Sequence, residues 1–341
     1  MKHRSSQGHI ITVSHVFDLK RNGMPKVKNN NGEAIRIKDK GLLMASTGWP
    51  ILWALSITAY LYYMRPLTVF CITLFLFYLD TNAQPYVDPL NIRYLHAFKG
   101  KQGNATPFNH LYIGSDVPIK FKSGTILLIS PFFENWNIDS ADNKNFLPSV
   151  SSIALPMGIF FPLSNKWSMN ITAIARINGE NIDINNSFQI GGLAFASYKR
   201  KEEQKLRLGV YVNNDFFGVF VIPLVGVDWR IDKDNYLFGL LPGRLTFEHK
   251  LSTNLYTGAT FRAITNSYRL SNENYLRIDD NQLSAYLDFY PAKHFVVTLE
   301  PGYGIFRKLR SGNGHNKNYI TDYNWDDGLF IKLSASYRIR L

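Results

Sequence analysis

Eight charged residues carry the chemical potential of this chain: Arg176, Glu248, Arg262, Asp288, Glu300, Lys332, Arg338 and Arg340. The first seven fall on the polar register of a stretch in which apolar and polar residues alternate. Charges of both signs on one face of several strands can neutralise one another as an interior ion-pair network. They can equally line a selective path or a ligand site. A second set lies in polar stretches read as outer loops: Asp279, Asp280, His315, Asp326 and Asp327. Adjacent carboxylates can bind Ca²⁺ or, with a histidine, form part of a hydrolytic site. Solvated loop ends have the same composition. His96, His110, His249, His294 and His315 are scattered, with no H-E-x-x-H, so no metal site is expected. There is no G-x-S-x-G. Ser123 and Ser311, each beside a glycine, fall in turns. No catalytic residue and no cofactor is assigned.

The elements that must position these charges are strands. Successive side chains of a strand point to opposite faces, so strict alternation marks a strand with one apolar and one wet face. In Trp167–Asn178 the first face holds Trp167, Met169, Ile171, Ala173, Ala175 and Ile177, and the second Ser168, Asn170, Thr172, Arg176 and Asn178. The last stretch sets Leu329, Ile331, Leu333, Ala335, Tyr337, Ile339 and Leu341 against Lys332, Ser334, Ser336, Arg338 and Arg340. Gly218–Arg230 departs from the rule, with Val219, Val221 and Val225 on one side and Phe220, Ile222 and Leu224 on the other. Its inner face is expected to pack on side chains filling the interior. Gly302 and Gly304 are expected to lie under large interior neighbours.

These patterns predict an all-β protein: an antiparallel transmembrane up-and-down barrel of about 12–14 strands with a polar lumen. A Lys or Arg facing lipid at mid-bilayer costs about 2–4 kcal/mol. Confinement of charge to one register is therefore what a greasy outer wall requires. A lipocalin-type barrel would be the inverse, apolar within. Fourteen segments run from Asn91–Phe98 to Leu329–Leu341, or twelve if Asn91–Phe98 and the short Tyr236–Leu241 do not span. Short turns at 164–166, 199–205, 232–235, 252–254 and 291–294 are expected at one end. Longer loops at 137–150, 268–281 and 309–327 are expected at the other, with Pro242-Gly243 as a further turn there.

Composition agrees. The chain has 341 residues, and 14% are aromatic, with 24 Phe, 19 Tyr and 6 Trp. Barrels use such residues in girdles at both membrane interfaces. Mean hydropathy is −0.14, as alternation within strands produces. Net charge is +12, but residues 1–84 hold 10 Lys/Arg against 4 Asp/Glu and residues 85–341 hold 28 against 22. The one basic block, Lys199 to Lys201, is interrupted by Glu202 and Glu203, which is not the stripe that nucleic acid binding needs. The single cysteine, Cys71, excludes an intrachain disulfide.

Residues 1–63 lack periodicity and are expected to be non-structural, read through upstream of a true start at Met64. Arg65, the apolar run Leu67–Leu79 and Thr81-Asn82-Ala83 have the parts of a secretory signal peptide over 64–83, with the barrel over 84–341. The expected location is the bacterial outer membrane, with its lipid and its assembly machinery as partners. The small solute or surface ligand stays open.

The run G-V-Y-V-N-N-D-F-F-G-V-F-V-I-P-L-V-G-V-D-W-R-I from Gly209, with L-F-G-L-L-P-G-R-L-T-F-E-H-K-L and L-Y-T-G-A-T-F-R-A-I-T-N-S-Y-R after it, resembles an uncharacterised family of outer-membrane β-barrels common in Bacteroidota. The resemblance covers 85–341 and implies a barrel, without an activity or functional residues. The expected role is a narrow non-enzymatic pore or envelope structural protein. The alternatives are a hydrolase or acyltransferase with an outer-loop site, and an adhesin or receptor using loops 137–150 and 309–327.

Overall fold

The computed structural model describes residues 85–99, 107–138, 147–271, 273–315, 317–323 and 325–341. The readings of 1–63 and of a signal peptide at 64–83 lie outside the described residues. Fourteen antiparallel strands follow in chain order. They are β1 Tyr86–Ala97, β2 Phe108–Gly114 with Val117–Lys120, β3 Ile126–Ile129 with Phe132–Ile138, β4 Val150–Pro162, β5 Trp167–Gly179, β6 Phe188–Lys201 and β7 Gln204–Asp215. Then come β8 Gly218–Arg230, β9 Asn235–Leu241, β10 Arg244–Lys250, β11 Leu255–Arg269, β12 Tyr275–Ala292, β13 Phe295–Gly312 and β14 Gly328–Arg340. Each strand pairs with its sequence neighbours, and β1 pairs with β14 from Tyr86↔Arg340 to Ala97↔Phe330, which closes the ring. Pairing of β1 with β14 means that neither the first nor the last strand is left as an open edge. Among the described residues no helix is long and apolar enough to cross a membrane.

The ends of the barrel differ as the pattern of turns predicts. One end carries both ends of the barrel chain and the short turns. In the β8–β9 turn the Asp232 carboxylate accepts the Asn235 side-chain amide at 2.7 Å and the Asp234 and Asn235 N–H groups at 2.8 Å each. These bonds, led by that of the Asn235 side chain, hold the carboxyl below its usual range. The other end, the loop end, carries the longer connections, including a single helical turn, α1 Ile184–Ser187.

Two loop boundaries are corrected. The expected loop 268–281 is mostly strand, since β11 runs to Arg269 and β12 starts at Tyr275. The loop 309–327 gives up its first residues to β13, and its Tyr319–Asp322 forms a short strand on Arg310–Gly312. β1 starts at Tyr86, five residues early, because Asp88-Pro89 sits at a register shift where a missing N–H costs nothing.

The exterior register is apolar all round: Ile171, Leu208, Val221, Leu283, Leu299 and Leu333 are each more than 40% exposed. Inside, the loop end is filled by a hydrophobic core of Phe108, Trp136, Leu147, Tyr268, Ile278, Leu309, Trp325 and Phe330. Opposite walls touch there, where Glu180 N–H donates to Arg269 O at 2.8 Å and Asn178 donates to Ser267 O at 3.1 Å. The loop ends of β11–β13 thus lie across the mouth.

Gly302 and Gly304 lie under the expected large neighbours. A Cβ at Gly302 would strike the Phe330 ring, and one at Gly304 the Arg307 guanidinium. Gly304→Val is expected to displace Arg307 and destabilise the barrel by about 1–3 kcal/mol. The urea midpoint of the folded protein measures it.

Candidate functional site in the barrel interior

Strand alternation delivers the polar register to the interior, and there charges meet across strands. At the turn end Arg338 donates to Asp88 at 2.6 and 2.9 Å and to Asp288 at 2.6 Å, and Thr298 donates to Asp288 at 2.6 Å. Arg340 makes a bidentate pair with Glu248 at 2.9 and 3.0 Å and stacks 3.5 Å over Tyr256. Bidentate geometry is the strong form of the Arg–carboxylate pair. Higher up, Lys332 donates to Glu300 at 2.5 Å, as does Ser284. Of the expected interior set, Glu248, Asp288, Glu300, Lys332, Arg338 and Arg340 are therefore brought together as ion pairs. Among the described residues Arg176 bonds neutral groups, Asn266 at 2.9 Å and Tyr211 at 3.3 Å. Arg262 makes no ion pair among the described residues.

Asp279 and Asp280 are corrected: they are strand residues of β12, not loop residues, and both are buried. Asp280 accepts Arg307 Nε at 2.8 Å, with both side chains at 1% exposure or less. Asp279 accepts Arg277 and Arg310 at 2.9 and 2.6 Å. Alternation fails here because both faces are covered: Arg277 lies 4.1 Å over Phe217 on the outer side, while Arg307 faces Phe108 on the inner. The remaining loop candidates do not converge. His315 bonds Asn214 at 3.0 Å, Asp327 accepts the Arg307 N–H at 3.0 Å, and Asp326 is exposed. Among the described residues no group of three His, Cys, Asp or Glu is placed to hold a metal.

Several interior groups escape a sequence reading. Arg207 pairs with Asp228 at 2.8 Å, and Tyr236 also donates to Asp228. His110 lies 3.1 Å from Glu134 and stacks on Trp136 at 3.8 Å, and Tyr268 donates to Glu134 at 2.8 Å. Arg93 lies 4.4 Å over the Tyr112 ring. The available signal was register: Arg93 alternates with exposed Ile92 and Tyr94, and Arg207 with exposed Leu206 and Leu208.

Among the described residues, two cavities lie between these groups. The larger, about 490 Å³, is lined on one side by Phe220, Ile222, Leu224 and Leu240 and on another by Arg93, Arg244 and Arg262. β8 turns its apolar face inward, but Phe220, Ile222 and Leu224 line this cavity where side chains filling the interior were expected against them. The smaller, about 150 Å³, continues from the same arginines toward Asp88, Asp116, Asp288 and Glu300.

Fold and interior together define a class: a closed antiparallel barrel of fourteen strands, apolar outside and ion-paired within. Residues 124–340 match the family described as a domain of unknown function (DUF6268), and the chain belongs to that family. No curated protein matches it in sequence. Among solved structures it is similar to the NanC porin, at 8% identity and a TM-score of 0.35 over 73% of this chain and 100% of that one. It is similar also to the Pseudomonas putida toluene transporter TodX, at 10% identity and a TM-score of 0.35 over 74% and 89%. A mutant Rh. blastica porin aligns at 8% identity and a TM-score of 0.26 over 73% and 99%.

Proposed function

We propose that the chain is a non-enzymatic barrel of the bacterial outer membrane, a narrow channel rather than a wide diffusion pore. The observation that carries this is the division of the two registers around a closed ring: exposed apolar side chains outside, paired charges inside. In water such a belt would be an aggregation surface, whereas in lipid it is the required exterior. The aromatic core and the β5–β11 contact obstruct the axial route at the loop end, which favours slow, selective passage. Export by the signal peptide read at 64–83, an origin among the Bacteroidota, and contact with outer-membrane lipid and the assembly machinery belong to the same proposal. In detergent the folded protein is expected to migrate faster on a gel before heating than after. In planar bilayers it is expected to give small conductance. A soluble monomer without detergent would overturn the membrane reading, and large steady conductance would overturn the narrow one.

A further inference from the structure

The barrel wall is incomplete on one side. β8 pairs with β7 from Gly218 to Trp229, but with β9 only over Val225–Arg230. β11 pairs with β12 up to Arg269, but with β10 only up to Arg262. The last bonds on that side run from Ala263 N–H to Pro242 O at 3.1 Å and Gly243 O at 3.2 Å. The β9–β10 hairpin therefore stops partway up the wall. Above its Pro242-Gly243 turn, residues 218–224 and 264–266 face one another with no strand between them. Strand spacing of about 4.8 Å gives a gap roughly 14 Å wide at its base. It closes upward, where Phe216 N–H donates to Ser267 Oγ at 3.0 Å, Ser267 donates to Asp215 at 2.9 Å and Arg269 lies 4.2 Å over Phe216. From Ala263 to Ser267 the height is about 13 Å. Val219 and Val221, exposed on the outer register, place the gap within the apolar belt.

The 490 Å³ cavity reaches this gap. Its lining includes the inward residues Phe220, Ile222 and Leu224, and also the Pro242-Gly243 turn and the outward-register Ala263 and Thr265. It thus runs from the interior through the wall. Its size is that of a small-molecule site, about 300–1,000 Å³. At its inner end stand three arginines. Arg244 lies directly opposite Arg262 in the β10–β11 pairing, an arrangement of like charges that destabilises a sheet. Neither Arg93 nor Arg262 has an ion-pair partner among the described residues, and Arg244 bonds the neutral Tyr86 hydroxyl and Thr246, each at 3.1 Å. Arg207, in the wall of the same cavity, holds Asp228, and elsewhere in the interior Arg307, Arg338, Arg340 and Lys332 each hold a carboxylate. Beyond the trio the second cavity is lined by Asp88 and Asp288, both held by Arg338, by Glu300, held by Lys332, and by Asp116, so the cations there are already matched and the trio is left to meet an anion.

Resting on the membrane reading above, we infer that this cavity takes a single-chain amphipathic carboxylate of the fatty-acid class, entering sideways from the lipid through the gap between β8 and β11. The chain lies against Phe220, Ile222 and Leu224, and the carboxylate meets Arg93, Arg244 and Arg262. No covalent step is involved.

The test is dodecanoate binding to the protein in nanodiscs of neutral phosphatidylcholine, with the folded state checked separately by the heat-dependent gel shift. Arg93→Gln and Arg262→Gln are each expected to weaken binding at least tenfold while the gel shift persists, since neither breaks an ion pair. Arg262→Lys, which keeps the charge, is expected to retain most of it. Dodecanol, without the charge, and propionate or inorganic phosphate, without the chain, are expected to bind weakly. Ala263→Trp, which fills the gap from the outer register, is expected to slow association without changing the gel shift. Equal binding of dodecanol and dodecanoate, or no effect of either glutamine variant, would overturn the inference. Equal binding of propionate would reduce the site to one for small anions, and an unchanged association rate in Ala263→Trp would remove the sideways route. Absence of the gel shift in the unsubstituted protein would instead overturn the membrane reading.

Discussion

Arg338→Met is expected to destabilise the folded barrel by roughly 3–5 kcal/mol, because it strands the buried Asp288 carboxylate and the half-buried Asp88 carboxylate at once. Arg338 is the shared partner of Asp88 on β1 and Asp288 on β12, and it stacks 3.7 Å over Tyr86. It therefore ties the closing strand to its β1 neighbour and to the far side of β13. Methionine fills similar volume, so the loss is chiefly electrostatic rather than a cavity. Removing all three charges, as in Arg338→Met with Asp88→Asn and Asp288→Asn, is expected to recover most of the stability, since a well-packed neutral interior can match a buried pair. The urea midpoint of refolded protein, read by the gel shift, measures both. A single variant within about 1 kcal/mol of the unsubstituted protein would mean that water reaches the carboxylates.

What could be read in advance follows from how each element is covered. β5, β12 beyond Asn281, and β14 have one face in the interior and one outside, so their registers separate cleanly; fourteen segments were legible, with Asn91–Phe98 and the short Tyr236–Leu241 left open as spanning strands. The reading fails where that condition fails. Tyr275–Asp280 is buried on both faces, so consecutive charges that suggest a loop are in fact strand residues held by Arg277, Arg307 and Arg310. A bulge compounds it. Phe306 has a positive φ of 52°, and the pairing of β12 with β13 shifts between Asp279 and Asn281. Beyond that point the inward residues of β13 change from Gly302 and Gly304 to Arg307 and Leu309, which period-two counting across the bulge would place outside. The interior charges of β5 and β10–β14 were legible as a set because register fixes the face. Their partners were not, since pairing across a closed ring depends on strand order and stagger. The arginine trio shows the limit: Arg262 was legible on register alone, but its standing opposite Arg244 and across from Arg93 follows only from the assembled ring. The gap in the wall is likewise invisible in β9 or β10 taken singly. It comes from their seven-residue length against the thirteen and fifteen of β8 and β11.

The outer register supplies the second large effect. Leu333 on β14 is 54% exposed, with Tyr94 of β1 and Leu299 of β13 beside it as paired neighbours. No interior contact is lost when it is replaced, so in water Leu333→Arg would change stability by no more than about 0.5 kcal/mol. In a bilayer the same change buries a guanidinium in hydrocarbon, and a cost of about 2–4 kcal/mol is expected near mid-depth, falling to about 0–1 kcal/mol near the interface. Leu341, at the rim, supplies the comparison: Leu341→Arg is expected to be nearly neutral. Leu333→Ala separates the charge from the loss of the leucyl side chain. Folding into phosphatidylcholine vesicles, followed by the gel shift across a urea series, gives all three values under one condition. A depth-dependent penalty at 333 and none at 341 is what a lipid-facing wall produces. Equal and small effects at both positions would place the apolar belt in water and remove the membrane from the account.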